Sequence, residues 1–178
     1  LVLALLLGKI ASVPFGMHGV GTFEGERNDI LRRRNYLIGK LATTPQKVME
    51  EMPGGMDEQF QGEWAMYSCS MLAAALTKIA RIYPEQKEVS LGYVDKLIEI
   101  VMSSEIREYD RKRWWGEDAL ASLEGNHSHV SYLSILAWMM GEYKVLGGGN
   151  KYDELYGRIC YTLNRRMLDA ETLNLPTY

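Results

Sequence analysis

Two histidines and several carboxylates lie close together in the middle of this 178-residue chain. His127 and His129 are two of its three histidines, and Glu117, Asp118 and Glu124 precede them by a few residues. An imidazole donates or accepts a proton near neutral pH, and a carboxyl group does so when its surroundings keep it protonated. These residue types predict acid–base chemistry on a glycosidic or hydroxylated carbon.

The candidate site residues come from this segment and from an earlier one that begins with a similar pattern. The candidate catalytic residues are Glu63, Asp118, His127, His129 and Tyr132. Aromatic rings can stack on a sugar or a terpenoid chain, and the candidate substrate-binding residues are Trp64, Tyr67, Trp114 and Trp115. A structural alternative stays open, in which the acids and imidazoles cap helices and the tyrosines pack in the core.

Other kinds of chemistry have little support in the sequence. It contains no HExxH motif, and neither Cys69 nor Cys160 has the spacing of a zinc ligand. We therefore predict no metal and no cofactor, and we expect both cysteines to be buried apolar residues. The net charge is -3 and the basic residues are mostly dispersed, so we predict no nucleic-acid partner.

A duplication relates two helix pairs, roughly residues 62–103 and 125–169. Leu72, Ala75, Ile79 and Ile82 recur at helical spacing, and the same pattern returns 61 positions later as Leu133, Leu136, Met140 and Tyr143. Each set predicts the first helix of an antiparallel pair. A helical hairpin cannot bury its apolar stripe alone, so the two pairs must stack on their neighbours.

Other helices follow from capping and periodicity. Asn28 or Asp29 can cap a helix that runs to about Leu41, and Pro45 can start a short one. A further short helix is expected over residues 117–123. No segment alternates with period two, so the predicted fold class is all-α, built of stacked antiparallel helical hairpins.

The first 26 residues differ from the rest. Residues 1–7 are an apolar run, too short to cross a bilayer, which takes about 20 residues. Two interpretations stay open: the end of a signal peptide or longer anchor, and a terminal helix docked on the core. We divide the chain into an apolar segment with a glycine-rich connector, 1–26, and a helical-hairpin domain, 27–178. We favour an exported or membrane-tethered protein over a cytoplasmic one.

Three motifs carry a resemblance to a known group of enzymes. They are GEWAMY at 62–67, GNHSHVSY at 125–132 and NKYDEL at 150–155. With the repeated hairpins, they resemble the (α/α) toroid enzymes, which include six-hairpin glycosidases, glucuronyl hydrolases, toroidal polysaccharide lyases and linalool dehydratase/isomerase-like proteins. The resemblance covers residues 57–169. No catalytic motif matches residue by residue, so it assigns no catalytic residue.

The resemblance implies an incomplete toroid, because this chain supplies about half of a closed ring of paired helices. Either further C-terminal hairpins or self-association would complete it. The expected function is metal-free acid–base hydrolysis or elimination on a glycan or other small hydroxylated molecule. The alternative is a non-catalytic helical-repeat interaction domain.

Overall fold

The computed structural model describes residues 23–53 and 58–177 of the chain. The chain divides into two compact units, Leu1–Tyr36 and Leu37–Tyr178. The described part of the first unit, residues 23–36, belongs to helix α1 (Phe23–Leu41), which begins earlier than Asn28. The predictions for the apolar segment and most of the connector, residues 1–22, lie outside the described residues.

The described residues form seven α-helices and no strand, which confirms the predicted all-α class. After α1 come α2 (Pro45–Glu50), α3 (Glu58–Ile82), α4 (Lys87–Val101), α5 (Ser104–Arg113), α6 (Val130–Val145) and α7 (Asp153–Asp169). A 3-10 turn at Pro84–Gln86 joins α3 to α4. None of the described helices is long and apolar enough to cross a membrane.

Local capping explains where the short helices begin. The side chain of Thr44 accepts a hydrogen bond from the backbone N–H of Lys47, and Pro45 occupies the first turn of α2. Ser103 caps α5 in the same way through the N–H of Ile106. The sequence did not predict α5, because this helix is strongly polar and buries only a few of its residues.

The core lies around α3, the longest helix, which packs against α4, α5 and α6. α6 also contacts α4 and α7. Leu72 of α3 and Leu133 of α6 are both buried in this core, as the duplication predicts. Ile82 departs from the predicted stripe, since it lies at the end of α3 and is exposed.

The buried face of α7 differs from the apolar stripe that the sequence predicts there, which is Tyr152, Leu155, Tyr156, Ile159, Leu163 and Met167. Tyr156 and Met167 are exposed, and the buried positions are Ile159, Thr162 and Arg166. The buried face is therefore rotated relative to the predicted stripe, and it includes the charged residue Arg166.

The two cysteines also differ from each other. Cys69 is buried as predicted, and burial raises the pKa of its thiol to about 12. The same prediction is wrong for Cys160, which is exposed on α7.

Gly62 marks the closest approach of α3 to α5 and gives a test of this packing. A Cβ added there would lie 3.0 Å from Cβ of Tyr109 and 3.2 Å from the carbonyl oxygen of Ile106, whereas one added at Gly92 of α4 meets nothing within 4 Å. We expect Gly92→Ala to stabilise the protein by about 0.5 to 1 kcal/mol through helix propensity. Gly62→Ala should instead destabilise it by about 1 kcal/mol, because the two helices must move apart. Urea unfolding of both variants measures this, and equal gains in stability would show that α3 and α5 are not in close contact.

Candidate functional site

The candidate site is built on the segment that joins α5 to α6, residues 114–129. A helix expected over residues 117–123 is absent, and the segment folds as a series of turns. Asp118 begins one of them, since its Oδ1 accepts hydrogen bonds from the N–H groups of Leu120 and Ala121. This irregular path lets the segment fold back over the end of α5.

His129 ends the segment and is completely buried. Its Nδ1 lies 2.5 Å from Oδ2 of Asp110, a buried residue of α5, and its Nε2 lies 3.2 Å from Oε1 of Glu117. One imidazole therefore bridges two carboxylates. The other oxygen of Asp110, Oδ1, is buried and accepts no hydrogen bond from the described residues.

The protonation of the His129 ring decides which of its two contacts are hydrogen bonds. A neutral imidazole has one N–H group and can donate to only one of the two carboxylates. Both contacts are hydrogen bonds at once when His129 is an imidazolium, or when one carboxyl group keeps its own proton.

His127 extends the same chain of contacts toward solvent. Its Nδ1 lies 2.8 Å from Oε2 of Glu117, and its side chain is 43% exposed. Burial raises the pKa of Glu117, but hydrogen bonds from His127, Ser122 and His129 outweigh it and hold the pKa below its usual value of 4.5. Glu117 is therefore an ionised carboxylate at neutral pH and an acceptor for both imidazoles.

Two tryptophans surround His127. Its ring stacks on that of Trp114, with centroids 5.3 Å apart and an angle of 27° between the planes, and lies 5.4 Å from that of Trp115. Trp114 is buried, also lying 5.3 Å from the ring of His129, whereas Trp115 is 82% exposed. Trp114 therefore fixes the imidazoles, while Trp115 offers an open indole face.

A cavity of about 430 Å³ lies beside this cluster. Its walls come from the segment before α6, from the end of α7 and from the residues that follow α7. The lining residues are Trp114, Asn126, His127, Ser128, Arg166, Asp169, Ala170, Leu175 and Pro176. Of the two histidines, His127 is the one that lines it.

Arg165 and Arg166 of α7 hold this segment in place. Arg166 is buried and makes four hydrogen bonds, to the carbonyl oxygens of Ser122, Leu123, Gly125 and Ser128. Arg165 donates to Oδ1 of Asn126 and to the carbonyl oxygens of Glu124 and Gly125. The two guanidinium groups satisfy carbonyl groups that have no helix to bond them.

Backbone strain concentrates around the same cavity. Within the described residues, three non-glycine residues have a positive φ: Trp115 at 52°, His129 at 46° and Leu173 at 56°. Trp115 and His129 belong to the cluster, and Leu173 lies in the segment whose residues Leu175 and Pro176 line the cavity. Such conformations cost about 1 to 3 kcal/mol each and gather at functional sites, where the surrounding structure holds them.

The structure thus brings together four of the nine candidate residues, His127, His129, Trp114 and Trp115. The other three candidate catalytic residues have different partners. Asp118 forms an ion pair with Arg107 at 3.0 Å, Glu63 faces Arg113 at 3.8 Å, and the buried hydroxyl of Tyr132 donates to the carbonyl of Val101. Trp64 lies half-exposed on α3, and Tyr67 packs against the core.

Three residues that are important here were not among the nine candidates. Glu117 was recognised only as one carboxylate of the region. Asp110 gave no signal in the sequence, because it is 19 residues from His129 and meets it only through the fold. Arg166 gave no signal either, because it lies off the stripe that the sequence predicts for α7, and only the structure shows that it is buried.

The alternative, in which polar residues of this segment cap a helix, applies to Ser128 but not to the ring of His129. Ser128 uses its Oγ to accept a hydrogen bond from the N–H of Val130, the first residue of α6. His129 occupies the cap position of α6 without a capping hydrogen bond from its ring. Within residues 23–53 and 58–177, no group of three or more His, Cys, Asp or Glu side chains is arranged to hold a metal ion.

Replacement of Arg166 tests whether it holds the segment. Methionine has a similar length and cannot donate to the four carbonyl oxygens, so Arg166→Met should lower the free energy of unfolding by about 2 to 4 kcal/mol. Hydrogen exchange should become faster across residues 122–129. Arg158→Met, on an exposed position of the same helix, is the matched control and should change little. Unchanged exchange in Arg166→Met would contradict this role.

Comparison with known proteins gives no relative: no family model matches the chain, no curated protein matches it, and no solved structure matches it. What this site can do is therefore argued from its own geometry.

Proposed function

We propose that this protein is an enzyme that transfers protons with its own side chains on a carbohydrate or other hydroxylated substrate. One observation carries the proposal: the contacts from Asp110 through His129 and Glu117 to His127 end at a ring that lines an open cavity. A carboxylate that holds one nitrogen of a histidine fixes its tautomer and leaves the other nitrogen for a substrate.

The roles follow from these contacts. Glu117 accepts the N–H of Nδ1 of His127 and so directs Nε2 away from itself. When His127 is protonated, Nε2 donates its proton to the oxygen of a C–O bond while that bond breaks. The neutral ring then accepts a proton, from water that adds to the carbon in a hydrolysis or from the neighbouring carbon in an elimination. The proton balance closes over one cycle in both cases.

Asp110 and His129 influence Glu117 and His127 without contacting the substrate. A buried imidazole with a carboxylate on each side supplies a positive charge next to Glu117 when it is protonated. That charge favours the ionised form of Glu117, the acceptor that orients His127. We therefore assign Asp110 and His129 as positioning residues and His127 as the catalytic acid and base.

The architecture that we propose is half of an (α/α) toroid, completed by further hairpins or by a second copy, in an exported or membrane-tethered protein. The repeated hairpins and a site at one end of the helices support this proposal, in addition to the motifs at 62–67, 125–132 and 150–155. Hydrolysis of glycosides and dehydration of alcohols are the two reactions that this site favours.

Substitution of His127 tests the catalytic assignment. His127→Gln keeps a donor for Glu117 but cannot exchange a proton, so turnover should fall by about 10²- to 10⁴-fold. Stability should change by about 1 kcal/mol or less, because the residue is half-exposed. The assay is release of nitrophenol from a panel of nitrophenyl glycosides, together with loss of water from simple alcohols.

The matched variants are Glu117→Gln and Glu154→Gln. The first removes the carboxylate that orients His127 and should also lower turnover. The second changes an exposed acid in the first turn of α7 and should leave turnover unchanged. Full activity of His127→Gln would contradict the proposal, as would a lack of turnover by the unchanged protein on every member of the panel.

A second candidate function is a helical-repeat interaction domain, and an apolar surface on α3 favours it. Phe60, Trp64 and Met71 are about half exposed or more and recur at helical spacing. If this surface mediates self-association, sedimentation should give a mass above that of one chain, and Trp64→Glu should restore a single-chain mass. Lys96→Glu, at an exposed position of α4, introduces the same acidic side chain away from this surface and is the control. A monomeric unchanged protein would count against self-association.

A further inference from the structure

The charged side chains at the cavity are unequally available to a ligand. Arg166 lines the cavity, but its four hydrogen bonds all go to backbone carbonyl oxygens. Arg165 is likewise bonded to Asn126 and to two carbonyl oxygens. The guanidinium groups are therefore directed to the protein, and His127, which also lines the cavity and is positive when protonated, is paired with Glu117.

Asp169 is the available carboxylate. It lines the cavity, its side chain is 70% exposed, and its ion pair with Nη1 of Arg165 is long, at 3.9 Å. It is also the last residue of α7, where the negative end of the helix dipole opposes a carboxylate. A residue that breaks a local stability rule beside a cavity is a candidate for function.

Two further carboxylates, those of Glu117 and Asp110, lie behind the cavity wall and are negative like that of Asp169. Glu117 contacts His127, and Asp110 contacts His129. Asp110, Glu117 and Asp169 are three carboxylates, whereas Arg165 and Arg166 are two cations. With one histidine protonated, this group is neutral, yet the most exposed of its charges is Asp169. A ligand carboxylate in the cavity would meet this negative charge with no free guanidinium to offset it.

We propose that Asp169 makes this cavity select an uncharged, hydroxylated ring over its anionic counterpart. The carboxylate of Asp169 accepts hydrogen bonds from ligand hydroxyl groups, and the apolar wall of Trp114, Leu175 and Pro176 packs against the C–H face of the ring. This inference rests on the proposed function for the hydroxylated nature of the ligand. The new elements are the ligand's lack of charge and the residue responsible.

Matched ligand pairs test this inference by binding alone. Each pair is a methyl hexopyranoside and the methyl hexuronide that differs from it only by a carboxylate, in the gluco, galacto and manno configurations. A 2-amino-2-deoxy analogue supplies the cationic member. Binding is followed at low salt from the NMR signals of the His127 and His129 rings, so that it does not depend on turnover.

In the unchanged protein we expect a neutral hexoside to bind at least about ten-fold more tightly than its uronide, the ratio that a like charge at the edge of a site can produce. Asp169→Asn should reduce that ratio to about three-fold or less, and Asp169→Lys should reverse it. Glu154→Gln, at the other end of α7, should leave the ratio unchanged.

Several results would overturn the inference. Equal or tighter binding of the uronide contradicts selection by charge, and tighter binding of the amino sugar shows that the ligand is cationic. A ratio that stays the same in Asp169→Asn shows that another residue sets it. Absence of binding by every pair contradicts a hydroxylated ring as the ligand. Selective binding without turnover would instead support this inference and contradict only the proposed catalysis.

Discussion

The burial of His129 between Asp110 and Glu117 is the interaction on which the candidate site depends. A polar ring can be buried at low cost only when both of its nitrogens are satisfied. Asp110 comes from the last turn of α5 and Glu117 from the segment that follows, so this segment has to fold back over α5 before α6 begins. The positive φ of His129 is the strained backbone conformation with which the chain enters α6.

A second constraint comes from the other end of the described chain. Arg166 lies on α7, about forty residues after the carbonyl groups that it bonds, and it closes the segment against the helix. Buried arginine is costly unless its donors are paired, and irregular backbone is costly unless its carbonyl groups are paired. Here the donors of Arg166 pair with the carbonyl groups of the irregular segment, so that both are satisfied. The same contacts commit the guanidinium groups and so leave Asp169 as the exposed charge of the cavity.

These constraints connect stability with chemistry. Glu117 holds one nitrogen of His127, and the stacked ring of Trp114 covers one face of it. Proton transfer requires such a fixed ring, because its rate depends strongly on distance and orientation. Trp115, by contrast, is open to solvent and adds little to the fold, which makes it the aromatic residue that is most available to a ligand.

The sequence by itself determined the helical class and much of the core. Apolar residues at helical spacing predict helices wherever they are frequent, and Leu72, Leu133 and Leu136 are buried accordingly. Thr44 and Pro45 likewise predicted the start of α2, because capping is local. The polar helix α5 was missed, since its stability depends on the contacts of its few buried residues and gives no periodic signal.

Only the tertiary structure decided which polar residues form the site. His127 and His129 attracted attention by their type, but Asp110, which contacts His129, is 19 positions from it in the sequence. Arg166, which bonds the carbonyl groups of the segment before α6, is 37 positions from His129. No periodicity relates residues at these separations. Glu63 and Asp118 looked equivalent to Glu117 in the sequence, but in the structure they pair with Arg113 and Arg107, whereas Glu117 contacts both histidines. Hydrogen bonds between distant segments depend on how the helices pack, and local patterns carry no information about that packing.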